Sequence, residues 1–249
     1  MTSDLSGCEP LSAAGGANGV LVLHGFTGCP QSMRPLAQAF SAAGFTVELP
    51  LLPGHGTTVD DMITTGWDDW AGAAEAAYEE LTGRSESVVV AGLSMGGALT
   101  LWLAGRHPEI AGIVCVNPVV DVAQDLVDLA RQMIEAGDDR IPAIGGDIAK
   151  PGGYEGAYEA APLGPLLSLA EGTSALQADL GKITSPLLLL NSPQDHVVPP
   201  SNSDLAAGSV GGPVERVTLE RSYHVATLDY DAELIEQQAV AFALRVTGS

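Results

Sequence analysis

Residues 87–106 read SVVVAGLSMGGALTLWLAGR: an apolar β-branched run, then Gly92-Leu93-Ser94-Met95-Gly96, then a helical pattern ending at Arg106. Ser87 to Ala91 has the make-up of a strand buried on both faces, and the spacing after Ser94 is that of a helix laid on a sheet. A G-x-S-x-G sequence is common by chance in a glycine-rich chain. At the junction of a strand and a helix it carries more weight, because there it forms a tight turn that holds the serine exposed. The turn accounts for the glycines, since side chains two residues either side of Ser94 would collide with the neighbouring strand and helix.

The same alternation extends in both directions from this stretch. Short apolar runs at Val20–Leu23, Phe45–Leu49, Gly112–Val116, Leu187–Leu190 and Val214–Leu219 read as strands. Stretches around Ser32–Ala43, Trp67–Leu81, Met95–Arg106 and Asp231–Val246 repeat apolar residues at helical spacing. Strand and helix in alternation predict a doubly wound, mostly parallel α/β sheet. Asp121 to Lys182 breaks the pattern: it holds no convincing strand, a Gly- and Pro-rich centre from Ile141 to Tyr154, and helical patterns on both sides. It reads as a small, mostly helical cap inserted into the core, so that residues 1–120 and 183–249 form the core and 121–182 the cap.

A chain of 249 residues suits one large domain with a single hydrophobic core, and 46% hydrophobic against 16% charged residues excludes disorder. With 31 acidic and 10 basic residues the formal charge is -21. That charge repels phosphate backbones and anionic lipid surfaces, which argues against nucleic acid and for an uncharged or cationic small-molecule substrate. Three cysteines, Cys8, Cys29 and Cys115, do not make a disulfide framework, and Cys115 lies in an apolar run; this fits a reducing compartment. Met1 to Gly19 lacks the pattern of a secretory leader, and no window reaches the roughly 18 apolar residues of a membrane span. The expectation is a cytoplasmic protein without stable membrane insertion; oligomeric state is not encoded in these features.

A serine hydroxyl attacks an ester at neutral pH only with a base in hydrogen-bond reach and a group that orients the base. On a sheet with this turn the order along the chain is serine, acid, histidine, each on a loop after a strand. Of His24, His55, His107, His196 and His224, only His224 follows the last strand. His107 ends a helix as a cap or meets solvent, His24 and His55 sit in glycine-bearing loops that shape the site floor, and His196 points away from its neighbour Asp195. Asp195, after Leu187–Leu190, is the preferred acid, and Asp121, after Gly112–Val116, is its rival. The oxyanion donors are the backbone N–H of Met95, at the start of the helix, and of Phe26, in the loop after Val20–Leu23. No metal or organic cofactor is required.

These residues resemble the bacterial monoacylglycerol lipases and the similar small bacterial carboxylesterases, of the α/β-hydrolase fold. The likeness spans nearly the whole chain. It rests on His24 to Gly28, Met33 to Leu36, Gly54 to Gly56, GLSMGG from Gly92, DHVVPP from Asp195 and SYHVATLDYD from Ser222. The resemblance implies catalytic Ser94, Asp195 and His224, with oxyanion donors at Phe26 and Met95. It further implies an acyl chain in an apolar tunnel beneath the cap and an acidic cap residue at the glycerol head, Glu155 by position, with Glu159 the alternative. Leu163, Leu166, Leu167 and Leu169 either line the tunnel or anchor the cap. The expected reaction cleaves a lipid ester, a monoacylglycerol first, to fatty acid and glycerol through an acyl-enzyme on Ser94. A short- to medium-chain carboxylesterase is the close alternative, a cofactor-free perhydrolase another, and a ligand-binding module without turnover the reading from a different class. The chain departs from the family pattern between Ala136 and Gly153.

Overall fold

Gly19–Leu23, Val88–Leu93, Gly112–Val116 and Leu187–Asn191 are buried to the last residue. Strands of that kind have no face for water, so they pair in parallel and take helices on both sides. The structure, a computed structural model, describes residues 7–143 and 146–248. In chain order its elements are β1 (Leu11–Ala13), β2 (Asn18–Leu23), α1 (Arg34–Ala42), β3 (Thr46–Leu49), α2 (Val59–Ile63), α3 (Trp67–Thr82), β4 (Ser87–Leu93), α4 (Met95–Arg106), β5 (Gly112–Val116) and α5 (Gln124–Ala136). There follow β6 (Arg140–Pro142), β7 (Ala160–Pro162), α6 (Leu163–Gln177), β8 (Leu187–Asn191), α7 (Ser201–Ser209), β9 (Val214–Thr218) and α8 (Ala232–Thr247).

Seven strands form one sheet in the order β1-β3-β2-β4-β5-β8-β9. All neighbours are parallel except β1 on β3. This is the doubly wound sheet expected. Strand order reverses between β2 and β4: β3 lies outside β2, and the chain then crosses to β4 on the other side. One apolar layer joins the sheet to α3, α4 and α6, and a second joins its other face to α1 and α8. The loops leaving β2 and β4 therefore part toward opposite faces, and a crevice opens at their carboxyl ends, where ligands bind in such sheets.

The excursion between β5 and β8 holds α5 and α6, matching the helical patterns read there, and also a strand pair that was not expected. Arg140 pairs with Pro162, Ile141 with Ala161 and Pro142 with Ala160 in an antiparallel ladder. Each strand is three residues long and carries a proline, so neither length nor composition marks it. Part of the excursion belongs to the main core: Tyr158, Leu169 and Leu176 pack in the cluster of α3 and α4. Leu163, Leu166 and Ala130 form a separate cluster with Phe26, Leu126 and Met133 against it.

The cysteine reading needs correcting. Cys8 and Cys29 are disulfide-bonded across 21 residues of sequence, leaving only Cys115 free and buried among the described residues. Three cysteines suggested no disulfide framework, yet the N-terminal arm lies against the turn that holds Cys29, where Arg34 donates to Gly7 O at 2.9 Å. Cysteine usage thus no longer argues for a reducing compartment. Among the described residues no helix is long and apolar enough to cross a membrane. The first six residues of the N-terminal stretch read for a leader, and Ile144 and Gly145 of the cap centre, lie outside the described residues.

Candidate active site

Ser94 sits between β4 and α4 with φ 56° and ψ −117°, a backbone conformation rare for a residue with a side chain. It is held there by its neighbours. Its N–H donates to Val116 O at 3.0 Å, and its carbonyl accepts from Ala98 N at 3.1 Å and Val119 N at 3.2 Å. The flanking glycines are sterically obligatory. A Cβ on Gly92 would stand 2.1 Å from Gly96 O, and one on Gly96 would stand 2.2 Å from Leu23 O. Gly97 is pressed almost as closely by Pro118, at 2.8 Å.

The loop after β2 lies directly against the serine, with the Cβ direction of Gly25 pointing to Ser94 Cβ at 3.4 Å. Thr27, at φ 62°, turns the loop back, and its carbonyl accepts from Tyr158 N of the cap at 3.0 Å. Among the described residues neither Phe26 N–H nor Met95 N–H has an internal acceptor. Both sit beside Ser94, and Met95 is the first residue of α4, where the helix leaves its amides free.

Beneath this loop lie two buried histidines, His24 and His55. Leu52 N–H donates to His24 Nε2 at 3.1 Å, so Nδ1 carries the proton and donates to Gly25 O at 3.0 Å. Burial, aided by the nearby His55, pulls His24 down to about 3, and burial pulls His55 down to about 4. Both rings are neutral at ordinary pH. His55 stands edge-on to His24 and to Trp70, and Trp70 in turn meets the Phe26 ring at 5.7 Å, so an aromatic column supports the donor loop.

His224 follows β9, and its Nδ1 is 2.7 Å from Asp195 Oδ2. Asp195 Oδ1 accepts Val197 N–H and Val198 N–H, each at 2.8 Å. The two side chains are 9% and 1% exposed. A carboxylate held by two amides and facing one imidazole nitrogen fixes the tautomer and leaves Nε2 free as a proton acceptor. The rival, Asp121, also lines the site, but its carboxylate accepts from Gln177 Nε2 at 3.3 Å and, among the described residues, meets no histidine. His107 is the C-cap of α4, its ring lying between Glu75 at 2.6 Å and Glu109 at 3.2 Å, and His196 pairs with Asp147 of the cap.

Ser94, Phe26 and His224 line one cavity of about 300 Å³, roofed by the cap through Leu126, Ile141, Leu166 and Leu169. Of the leucines expected to bind substrate, Leu166 lines it, while Leu163 and Leu167 do not. Leu163 opens α6 and is fully buried against α5, and Leu167 lies about 100° round the helix from Leu166. Leu169, one turn on from Leu166 and the fourth of the leucines named from sequence, lines it too. Glu155 lines the cavity as well, half-buried over Gly28, whose added Cβ would lie 2.9 Å from Oε1. Burial pushes Glu155 up to about 7, against the pull of His224. Glu159 is exposed, and its carbonyl accepts Ala143 N–H at 2.9 Å. Among the described residues no set of three or more His, Cys, Asp or Glu side chains is grouped as a metal would need.

Two site residues were not expected from sequence. Asn117, at φ 43° after β5, donates to His224 O at 2.8 Å and Ser192 Oγ at 3.1 Å, and accepts Ser192 N–H at 2.8 Å. An asparagine directly after a buried strand was the available signal, since it tolerates the left-handed region. Asp147 accepts His224 N–H at 3.1 Å; nothing in its glycine-rich surroundings marks it.

Known proteins are similar to this chain over most of its length. A family model described as the alpha/beta hydrolase family matches residues 20–237. The thermostable monoacylglycerol lipase of Bacillus sp. (strain H-257) is 44% identical over 247 residues, 98% of this chain and 97% of that one. The carboxylesterase of Bacillus subtilis (strain 168) is 26% identical over 94% of this chain and 95% of its own. Among solved structures, one from work on the metagenome-derived lipolytic enzymes LipS and LipT matches with a TM-score of 0.93 and 42% identity, covering 96% of this chain and 98% of that one.

Proposed function

The chain belongs to the alpha/beta hydrolase family and is a carboxylic ester hydrolase; on that premise we propose that it cleaves monoacylglycerols to fatty acid and glycerol through an acyl-enzyme on Ser94. The observation that carries the assignment of roles is the 2.7 Å contact between His224 and Asp195, set on the same cavity as the strained turn at Ser94. In this reading Ser94 Oγ attacks the ester carbonyl carbon while its proton passes to His224 Nε2. The tetrahedral oxyanion is held by the N–H groups of Phe26 and Met95, each donor being worth about 10²- to 10³-fold. His224 returns the proton to the departing alcohol, then activates the water that frees the acid and Ser94. Asp195 holds the imidazole in place and stabilises its charged form without taking the proton.

Residues 121–182 form the cap in this account, and its contribution is the choice of ester. A cavity of about 300 Å³ is at the small end of ligand pockets, which supports one acyl chain and not two. Glu155, with an ionisation near neutrality, both donates to and accepts from hydroxyl groups, which suits a glycerol head. The lipase of Bacillus sp. (strain H-257) supports the monoacylglycerol reading, and the carboxylesterase of Bacillus subtilis supports the second, a medium-chain alkyl esterase.

Rates on mono-, di- and triacylglycerols of matched chains, beside simple alkyl esters, separate the two. Preference for the monoacyl substrate over both the diacyl and the alkyl ester is expected. Equal rates on mono- and diacyl substrates would refute the one-chain cavity, and equal rates on glyceryl and alkyl esters would favour the esterase. No turnover of any ester would leave a binding module.

A further inference from the structure

The cap is fastened to the rest of the chain beside the proposed base by two carboxylates, Asp147 and Asp229. Asp147 is 10% exposed at its side chain. Its Oδ2 accepts the backbone N–H of His196 and that of His224, each at 3.1 Å, and its Oδ1 meets His196 Nδ1 at 2.9 Å. Its carbonyl accepts Val225 N–H at 3.0 Å. The His196 ring stands edge-on to Tyr223, 4.5 Å between centres. Asp229 reaches back from the other side, taking Ala149 N–H at 2.7 Å and Tyr223 N–H at 2.9 Å on one oxygen, and Lys150 N–H at 2.9 Å on the other.

His196 directly follows Asp195, so the carboxylate of Asp147 bridges the residue after the acid and the base itself. These loops leave different strands, β8 and β9, and past the strand ends no ladder sets their spacing. Hydrogen bonds donated by two backbone amides to one carboxylate oxygen are directional, and set such a spacing more narrowly than apolar contact does. Asn117 performs the complementary task from beneath, joining His224 O to Ser192.

We infer that Asp147 is a positioning residue: it holds the His196 and His224 loops at the separation that keeps His224 Nδ1 against Asp195, making the segment around 147–150 a splint of the site and not a moving part of a lid. The inference rests on the roles proposed for Asp195 and His224. Misplacement of a catalytic group by about 1 Å costs on the order of 10²-fold, so the effect belongs in kcat.

Steady-state kinetics of the full chain on monolaurin and on p-nitrophenyl butyrate test it. Asp147→Ala is expected to lower kcat by about 10- to 100-fold on both esters with KM changed by less than about threefold. Asp147→Asn, whose amide oxygen still accepts both backbone N–H groups, is expected to return kcat to within about fivefold of the parent. In an Asp195→Asn background, Asp147→Ala should cost less than about threefold more, because the pair that it positions is already broken. A rise in KM at constant kcat, full additivity with Asp195→Asn, or an Asn variant no better than Ala overturns the inference. Should Asp147→Ala fail to fold, His196→Ala removes the ring contact alone; a kcat loss of about 2- to 10-fold at constant KM supports the splint, and an unchanged kcat overturns it. The triad reading fails separately: His224→Ala with parental activity would sink both, whereas an inactive His224→Ala beside a fully active Asp147→Ala sinks only the splint.

Discussion

The two walls of the cavity are held by different kinds of contact. On the sheet side, backbone meets backbone: the Cβ directions of Gly92 and Gly96 end 2.1 Å and 2.2 Å from carbonyl oxygens, and Ser94 keeps φ 56° because three backbone hydrogen bonds pin it. On the cap side, side chain meets side chain, with Leu126, Ile141, Leu166 and Leu169 closing the roof. Backbone contact of that closeness admits no larger residue, whereas packed side chains tolerate exchange at modest cost. In the proposed function the sheet wall fixes the reaction and the cap wall sets which ester reaches it. Away from the roof, cap and core are also joined through backbone, by Tyr158 N–H on Thr27 O and by the amides that Asp147 and Asp229 hold.

The contrast is most sharply tested at its catalytic end. His224→Ala, which removes the proposed base, should lower kcat by about 10⁴-fold or more on every ester regardless of acyl chain; a loss that depended on chain length would move His224 from chemistry to binding. Next is Gly96→Ala, where the added methyl must displace the β2 carbonyl. Overpacking of that kind costs about 1–3 kcal/mol, a fall of roughly 2–12 °C in melting temperature for a domain of this size. An unchanged melting temperature would show that the sheet wall yields as readily as the cap wall.

Leu166→Trp probes the cap wall. The added ring fills the cavity, so each methylene denied burial forfeits about 0.8 kcal/mol, and kcat/KM on long-chain esters should fall about tenfold or more while short-chain esters stay within about twofold. An equal fall on both would place Leu166 in the reaction instead of in selection.

The smallest effect expected is on stability. Glu155 ionises near 7 in the folded chain against its ordinary 4.5, because burial penalises the charge. The folded state holds its proton more tightly, so stability is lost as pH rises from about 4.5 through about 7. Glu155→Gln has no such loss, and between pH 4 and pH 8 it should gain on the parent by on the order of 1–2 kcal/mol in denaturant unfolding. Parallel pH dependence in the two chains would place the Glu155 carboxyl in water, not in the cavity.

The same contrast explains what the sequence revealed. Strands β2, β4, β5 and β8 are legible because burial on both faces leaves them only apolar residues, and the turn at Ser94 is legible because Gly92 and Gly96 are the only residues that fit. Asp195 and His224 follow from strand order. The cap resists reading for the opposite reason. Leu163, Leu166, Leu167 and Leu169 are chemically alike, and only the rotation of α6 decides which of them faces the cavity. The prolines of β6 and β7 conceal a ladder that is three residues long. Asp147 acts through its distance to loops 49 and 77 residues away in sequence. The Cys8–Cys29 bond likewise depends on proximity after folding, which a count of three cysteines does not contain.

The central claim is a covalent one, and intact-protein mass spectrometry after reaction with an alkyl fluorophosphonate tests it directly. A single phosphonyl group should add to the parent chain, map to Ser94 and abolish ester hydrolysis in proportion to labelling, while a folded Ser94→Ala takes no label and hydrolyses no ester. Parental hydrolysis by Ser94→Ala, or full inactivation with the label on another residue, would contradict the account.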